Sequence, residues 1–202
     1  AYRNYKERFQ KSFLNAYNFA NKVVSVGDKE NANKDSALNS TKQILIASGI
    51  MKELNAAVEK VCEVCGSLID KSSLYESEPW GFQTDNNFLN QVIQIETSMS
   101  PHDLLKEILS VEIQLGRDRI TKYDTYVSRP IDIDILYFND MIINEYDLIV
   151  PHPRLHLRRF TMLPLCEIAA EFIHPIFNVS NKQLLSLCDD DSVVHLYKKR
   201  LS

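Results

Sequence analysis

The chain of 202 residues is 45% hydrophobic and 25% charged, a composition typical of a folded globular protein rather than a disordered one. Its formal net charge of −4 argues against general nucleic-acid binding, so any anion site has to be a local cluster of basic residues. No apolar run approaches the roughly 18 residues that span a bilayer, and the charged N-terminus lacks the apolar core of a signal peptide. We therefore expect a cytoplasmic protein whose four cysteines are reduced.

Residues 1–26 have the periodicity of an amphipathic helix. Its apolar stripe consists of Tyr2, Tyr5, Phe9, Phe13, Tyr17, Ala20 and Val24. Residues 27–41 are polar, as is typical of a linker. We expect the helix to pack against the rest of the protein or against a second copy, which leaves both a monomer and a homodimer open.

From residue 42 onward, strand and helix patterns alternate. Strands are predicted at 43–47, 68–75, 88–98 and 129–138, with helices at 51–65 and 101–115. Ser100 and Pro101 form a typical helix start. This order, β-α-β-β-α-β, predicts an α+β fold of the ferredoxin-like sandwich type over residues 42–202. A C-terminal extension with a hairpin near 141–143 and a helix near 163–172 completes the domain, and the N-terminal helix is an addition to it.

The strand at 129–138 carries two acids among apolar residues. With a period of 2, Ile131, Ile133, Ile135 and Tyr137 share one face, whereas Asp132, Asp134, Leu136 and Phe138 share the other. Two neighbouring carboxylates repel each other unless a cation lies between them, and hard oxygen ligands suit Mg²⁺. Taken alone, Asp-x-Asp is equally compatible with two acids that face solvent.

Two basic stretches flank this strand. Residues 151–160 contain three arginines and two histidines but no acid, and Arg117 and Arg119 precede the strand. Guanidinium groups are forked donors with a fixed positive charge, which is what a triphosphate requires. A single arginine is more often a solvated surface residue, so the argument depends on both clusters flanking the acidic pair.

Five short motifs, in order along residues 42–195, closely resemble the 6-hydroxymethyl-7,8-dihydropterin pyrophosphokinase family of the folate pathway. The motifs are Phe88-Leu89-Asn90, Leu115-Gly116-Arg117, Arg129-x-x-Asp132-x-Asp134-Ile135-Leu136, Val150-Pro151-His152-Pro153-Arg154 and Arg158-x-Phe160. The third is the family's signature. The resemblance implies the ferredoxin-like fold and transfer of pyrophosphate from ATP, with two Mg²⁺ ions, to the hydroxymethyl group of the pterin.

The resemblance also implies roles for individual residues. Asp132 and Asp134 would hold the metals, and Asp134, together with Arg117, would act in catalysis. The positions that match ATP-binding residues are Glu112, Arg117, Arg119, Arg129, His152 and Arg158. The positions that match the pterin pocket are Ser77, Pro79, Trp80, Gly81, Phe88, Asn90 and Phe160. Residues 46–51 lack the family's usual Gly-Ser-Asn sequence, a difference that bears on substrate affinity.

Two other functions remain open at this point. A non-catalytic relative could bind nucleotide or pterin and serve as a partner of another protein, a role that the N-terminal helix would suit. A nucleotide-sugar transferase with an Asp-x-Asp metal site fits poorly, because the chain lacks a nucleotide-binding βαβ array. We expect small-molecule substrates and neither a nucleic-acid nor a membrane partner.

Overall fold

The computed structural model describes residues 41–49, 51–77, 88–116 and 131–200. The predicted N-terminal helix and all of the predicted linker except Thr41 lie outside them. The helices are α1 (Met51–Val64), α2 (Pro101–Gln114), α3 (Arg159–Ala169) and α4 (Asn181–Ser186), with a 3-10 turn at Leu155–Leu157. The strands are β1 (Thr41–Gly49), β2 (Ser67–Lys71), β3 (Leu74–Ser77), β4 (Phe88–Thr97), β5 (Ile131–Phe138), β6 (Ile143–Asn144), β7 (Ile149–Val150) and β8 (Val194–Lys198).

The main sheet is antiparallel, with the strand order β5-β1-β4-β3-β8 and with β2 also paired to β4. This confirms the predicted combination of helices with a β-sheet. The single strand predicted at 68–75 is instead two strands, β2 and β3, interrupted at Ser72 and Ser73. The hydroxyl of Ser72 accepts a hydrogen bond from the backbone N–H of Val92 at 3.0 Å. At this break between the two strands, a side-chain oxygen therefore takes the place of the backbone carbonyl that would accept this hydrogen bond in a continuous sheet.

Helices α1 and α2 cover one face of the sheet, which we call the first face. Its continuous apolar core joins the strands to both helices through Leu45, Ala47, Leu54, Val58, Val61, Ile93, Ile95, Leu104, Ile108, Val111, Ile131 and Ile133. The start of α2 is as predicted, because the Ser100 hydroxyl accepts a hydrogen bond from the Asp103 N–H at 3.2 Å. Gly66, which follows α1, has φ of 153°, and a side chain there would collide with the backbone carbonyl of Glu96.

The second face is divided into two halves. In the half that we call the covered half, α3 and α4 pack on a second apolar cluster of Ile44, Ile46, Val92, Leu136, Tyr137, Leu155, Met162, Leu165 and Leu184. In the other half, which we call the polar half, strands β1, β4 and β5 carry polar residues: Ser48, Asn90, Asp132 and Asp134. The strand register pairs Ser48 with both Asn90 and Asp132, and pairs Ile46 with Asp134. The acids of β5 therefore lie on the face opposite α1 and α2.

The predicted alternation along β5 is wrong at its last two residues. Leu45 pairs with Ile135 and Ile44 pairs with Tyr137, so Leu136 is an extra residue in a β-bulge. A bulge reverses the faces beyond it. Tyr137 therefore joins the second-face core, where its hydroxyl donates a hydrogen bond to Asn181 Oδ1 at 2.6 Å. Phe138 joins the first-face core.

The C-terminal part contains more structure than the sequence predicted. The helix predicted near 163–172 is α3, which begins earlier, at Arg159. The hairpin predicted near 141–143 lies slightly later, where β6 pairs with β7. Helix α4 and strand β8 were not predicted, although Ser180 and Gln183 form a complete capping box that marks the start of α4. No helix in the described part of the chain is long and apolar enough to cross a membrane.

All four cysteines are free thiols, as predicted. Burial and the nearby carboxylate of Glu107 raise the pKa of Cys65 to about 11, and burial with Glu171 raises the pKa of Cys166 to about 11. A raised pKa keeps a thiol protonated and unreactive at neutral pH. The C-x-x-C of Cys62 and Cys65 is therefore a packing feature at the end of α1, not a reactive pair.

Candidate active site

A row of polar side chains crosses the polar half of the second face. The hydroxyl of Ser48 donates a hydrogen bond to Asn90 Oδ1 at 2.8 Å, and Asn90 Nδ2 donates to the hydroxyl of Ser77 at 2.9 Å. On the other side of Ser48, the strand register places Asp132. Asn90 is only 1% exposed. Its hydrogen bonds fix the orientation of the side-chain amide, with Oδ1 toward Ser48 and Nδ2 toward Ser77. The row connects the predicted pterin residues on β3 and β4 to the acidic pair on β5.

Asp132 and Asp134 are two residues apart on the same face of β5, and both are partly exposed. Their carboxylates are hard oxygen donors on a rigid strand, with enough access to solvent for an ion to keep some of its waters. The side chain of Asp134 is 37% exposed. The residues present therefore fit the Mg²⁺ that the motif implies.

Glu112 supports this strand from the first face. The residue is fully buried on α2, and its Oε1 accepts a hydrogen bond from the backbone N–H of Ile133 at 2.8 Å. Ile133 is the residue between the two acids. Its strand, β5, is the edge strand of the described sheet and pairs with β1 on one side. Glu112 thus fixes the backbone of the acidic pair, and its contact with ATP stays a prediction.

His152 faces Asp134 from the segment that follows β7. Its backbone N–H donates to the carbonyl of Leu136 at 2.9 Å, and its Nδ1 accepts from the N–H of Arg154 at 3.2 Å. Its Nε2 lies 3.7 Å from Asp134 Oδ2. Burial, reinforced by the charges of Arg158 and Arg154, lowers the pKa of His152 to about 3 against the opposing effect of Asp132. The imidazole is therefore neutral at physiological pH, and because Nδ1 is an acceptor, its proton is assigned to Nε2, facing the carboxylate.

Arg158 and Phe160 lie at the start of α3, at the border between the covered and polar halves. The guanidinium carbon of Arg158 is 5.6 Å from the centroid of the Phe160 ring, within cation–π range. The first turn of α3 is capped by Asp190, whose Oδ2 accepts a hydrogen bond from the Arg159 N–H at 2.7 Å. A residue predicted to bind phosphate and one predicted to stack on the pterin are therefore neighbours.

The structure brings most of the described site residues to one place. Those on or beside the second face are Ser77, Phe88, Asn90, Asp132, Asp134, His152, Arg158 and Phe160. Glu112 lies on the first face behind them. Six predicted site residues lie outside the described residues: Pro79, Trp80, Gly81, Arg117, Arg119 and Arg129.

Two residues of the site were given no individual role from the sequence, although Arg154 belongs to one of the motifs. Ser48 orients Asn90 and lies opposite Asp132, and Arg154 both fixes Nδ1 of His152 and contributes to lowering its pKa. The period of β1 already places Ser48 on the face of Ile44 and Ile46. Its importance follows only from the pairing of β1 with both β4 and β5.

Comparisons with known proteins agree with the motifs. The model of the 7,8-dihydro-6-hydroxymethylpterin-pyrophosphokinase family matches residues 44–170. The chain is 43% identical over 128 residues to the 2-amino-4-hydroxy-6-hydroxymethyldihydropteridine pyrophosphokinase of Aquifex aeolicus, an alignment that covers 63% of this chain and 77% of that protein. It is also 33% identical over 167 residues to the folic acid synthesis protein FOL1 of Dictyostelium discoideum, covering 79% of this chain.

Solved structures with the same fold include wild-type Plasmodium falciparum HPPK-DHPS, with a TM-score of 0.60 and 16% sequence identity over 76% of this chain. The present chain spans 45% of that Plasmodium chain and 24% of the Dictyostelium protein, so some relatives are much longer. The family model alone covers more than half of the chain. This chain is therefore a member of the 7,8-dihydro-6-hydroxymethylpterin-pyrophosphokinase family, as its motifs predicted.

Proposed function

We propose that this domain transfers pyrophosphate from ATP to the hydroxymethyl group of 6-hydroxymethyl-7,8-dihydropterin and releases AMP, a step in folate biosynthesis. Curated relatives with 35–43% identity carry the name of this pyrophosphokinase. The observation that carries the proposal is the polar half itself. It combines an acidic pair for Mg²⁺, a basic segment for phosphates, and aromatic and amide groups for a flat heterocycle.

In the proposed reaction, the hydroxymethyl oxygen forms a bond to the β-phosphorus of ATP, and the bond from that phosphorus to the oxygen bridging the α- and β-phosphates breaks. AMP leaves with that oxygen, and the hydroxyl proton passes to a carboxylate oxygen of Asp134. The neutral His152 lies beside that carboxylate, with its Nε2 3.7 Å from Asp134 Oδ2. Arg158 would bind the phosphates, together with Arg117, Arg119 and Arg129.

Mg²⁺ bound at this site would neutralise charge on the phosphates. We propose that Asp132 and Asp134 hold two such ions, the number that the family resemblance implies. Glu112 contributes indirectly, because its hydrogen bond to the Ile133 N–H holds the backbone between the two carboxylates. A fixed spacing of the ligands lowers the cost of assembling the site around ATP.

For the pterin, we propose stacking between Phe88 and Phe160 and hydrogen bonding to the side-chain amide of Asn90. Ser48 and Ser77 hold that amide in one orientation. Residues 79–81, with Trp80, would line the same pocket beside Ser77. A rigid amide favours a heterocycle with complementary donors and acceptors, because a mismatched ring would leave buried polar groups without partners.

Three further expectations belong to the same proposal. The strand order β5-β1-β4-β3, with α1 and α2 on one face, supports a ferredoxin-like sandwich as the core of the domain. Free thiols support a cytoplasmic location. A monomer and a homodimer both fit small-molecule substrates. The intact acidic pair makes a non-catalytic binding protein the less favoured alternative.

The test is to mix the purified chain with ATP, Mg²⁺ and 6-hydroxymethyl-7,8-dihydropterin and to follow AMP by chromatography. We expect AMP and the pterin pyrophosphate in equal amounts, with little AMP when the pterin is omitted. Absence of AMP, or AMP formation that is independent of the pterin, would contradict the proposal. The second result would indicate ATP hydrolysis instead of transfer.

A further inference from the structure

The stretch of residues 139–148, which includes β6, carries a surface patch that the proposed reaction does not use. Met141 is 43% exposed and Ile142 is 45% exposed, although both are large apolar side chains. The same stretch carries three exposed acids, Asp140, Glu145 and Asp147. We call this surface the hairpin patch and define it as Asp140, Met141, Ile142, Glu145, Tyr146 and Asp147.

The patch has a rigid support. Ile143 and Leu148 of the same stretch are buried in the first-face core. The backbone N–H of Glu145 donates to the carbonyl of Leu148 at 2.9 Å, and the Glu145 carboxylate lies 3.1 Å from Nε2 of His102 at the start of α2. The exposed apolar side chains of the patch are therefore displayed on a fixed surface and not on a frayed loop.

The patch lies where β1 begins. The backbone N–H of Lys42 donates to Asn139 Oδ1 at 2.8 Å, and the N–H of Asn139 donates to the carbonyl of Lys42 at 3.0 Å. Residues 27–40 join this point to residues 1–26. A random-coil chain of that length has an end-to-end distance of about 20 Å, so the predicted linker allows residues 1–26 to reach the patch.

The N-terminal segment has the composition that the patch would bind. Besides its predicted apolar stripe, it contains five basic residues and one acid, which gives a net charge of +4 for residues 1–26. The basic residues are Arg3, Lys6, Arg8, Lys11 and Lys22, and the acid is Glu7. The patch contributes three negative charges from Asp140, Glu145 and Asp147. The two surfaces are complementary both in apolar character and in charge.

We propose that residues 1–26 dock on the hairpin patch of the same molecule. The apolar stripe covers Met141 and Ile142, and the basic residues face the acids around them. The patch is at the end of β5 opposite the acidic pair: Asn139 follows Asp134 by five residues, about 16 Å along a strand. Docking therefore leaves the proposed reaction untouched, and the two proposals can fail separately.

Zero-length carbodiimide cross-linking tests the docking on the chain of 202 residues, because it joins only a lysine and a carboxylate that are in contact. The protein is mixed with an equal amount of its ¹⁵N-labelled form before cross-linking. We expect peptides that join Lys6 or Lys11 to Glu145 or Asp147, with both halves carrying the same label. Links with mixed labels would show that a second copy occupies the patch, which would overturn the proposal.

A pair of matched variants sharpens the test. Replacing Met141 and Ile142 by serine keeps the acids that cross-link but removes the apolar contact, so the yield of these links should fall severalfold. The control replaces Leu196 and Tyr197, which are 55% and 52% exposed on β8, and should leave the yield unchanged. Replacing Phe9 and Phe13 by serine should reproduce the loss from the other side. No link to the patch in the unsubstituted chain, or equal yields in all variants, would refute the docking.

Discussion

The covered and polar halves of the second face lie on the same three strands but differ in what packs over them. In the covered half, Ile44 and Ile46 of β1 pack against α3, whose Met162 and Leu165 are fully buried. Two residues beyond Ile46, at Ser48, the strand surface becomes polar and partly exposed. One sheet thus carries both an apolar core and the polar surface for which we propose the reaction, and the change between them occurs where the apolar cover of α3 and α4 ends.

The largest expected effect tests the polar half. Asp134→Ala should lower turnover by more than about a hundredfold, since loss of a metal ligand at a phosphoryl-transfer site typically costs several kcal/mol of transition-state stabilisation. The melting temperature should change little, because the side chain is not part of either apolar core. Asp140→Ala, an exposed acid at the other end of β5, is the matched control. A variant at position 134 with near-normal activity would end the metal-site interpretation.

In the covered half we expect a substitution to lower the stability of the protein. Leu165→Ala should lower the free energy of unfolding by about 2–5 kcal/mol, because it leaves a cavity at a fully buried position. Urea titration measures the loss, with Leu157→Ala, 50% exposed on the neighbouring turn, as the control. Ser48→Ala, on the same face, should cost much less. Equal decreases in the free energy of unfolding for Ser48→Ala and Leu165→Ala would contradict the distinction between a packed covered half and a polar half.

An intermediate effect is expected at Glu112, which joins the two faces. Glu112→Ala leaves the buried N–H of Ile133 without this acceptor, so the protein should lose about 1–3 kcal/mol of stability and turnover should fall as well. Glu112→Gln keeps a carbonyl oxygen at the same place and should recover most of both properties. Measured together, unfolding and steady-state kinetics separate this role from nucleotide binding. A glutamine variant with normal stability but a greatly raised KM for ATP would favour direct contact with the nucleotide.

The smallest effect concerns the border between the halves. Phe160→Ala should weaken pterin binding by more than ~1 kcal/mol through lost stacking and burial. The effect on ATP binding should be smaller, because Arg158 loses only its contact with the ring. Calorimetric titration with each ligand measures both, and Tyr197→Ala on β8 serves as a control. If both affinities fell equally, Phe160 would not belong specifically to the pterin pocket.

Local rules predicted the parts of the molecule that depend on neighbouring residues. The period of 2 placed Asp132 and Asp134 on one face, and the Ser100 cap marked the start of α2. The bulge at Leu136 depends on how β5 pairs with β1, so the sequence pattern of β5 alone could not reveal it. For that reason Tyr137 and Phe138 were assigned to the wrong faces.

Long-range contacts account for what was missed in the site and at the C-terminus. The hydrogen bond from Ile133 to Glu112 joins a helix to a strand through a backbone group, which carries no sequence signal. The end of β8 is held by Arg200, which donates to Asp70 Oδ1 at 2.8 Å and lies 3.4 Å from Glu167 Oε1. Arg200 and Asp70 are 130 residues apart in the chain. Partners at such distances are chosen by the fold and not by local propensity.

The most direct test of the account is to count the metal ions bound at the polar half. Mn²⁺ titration in the presence of a non-hydrolysable ATP analogue, followed by electron paramagnetic resonance, reports ions held by the complex. We predict the two tightly bound ions of the family in the unsubstituted chain, and their loss when Asp132 and Asp134 are both replaced by asparagine. The analogue alone with Mn²⁺ provides the baseline. The same number of tightly bound ions in the double variant as in the unsubstituted chain would contradict the account.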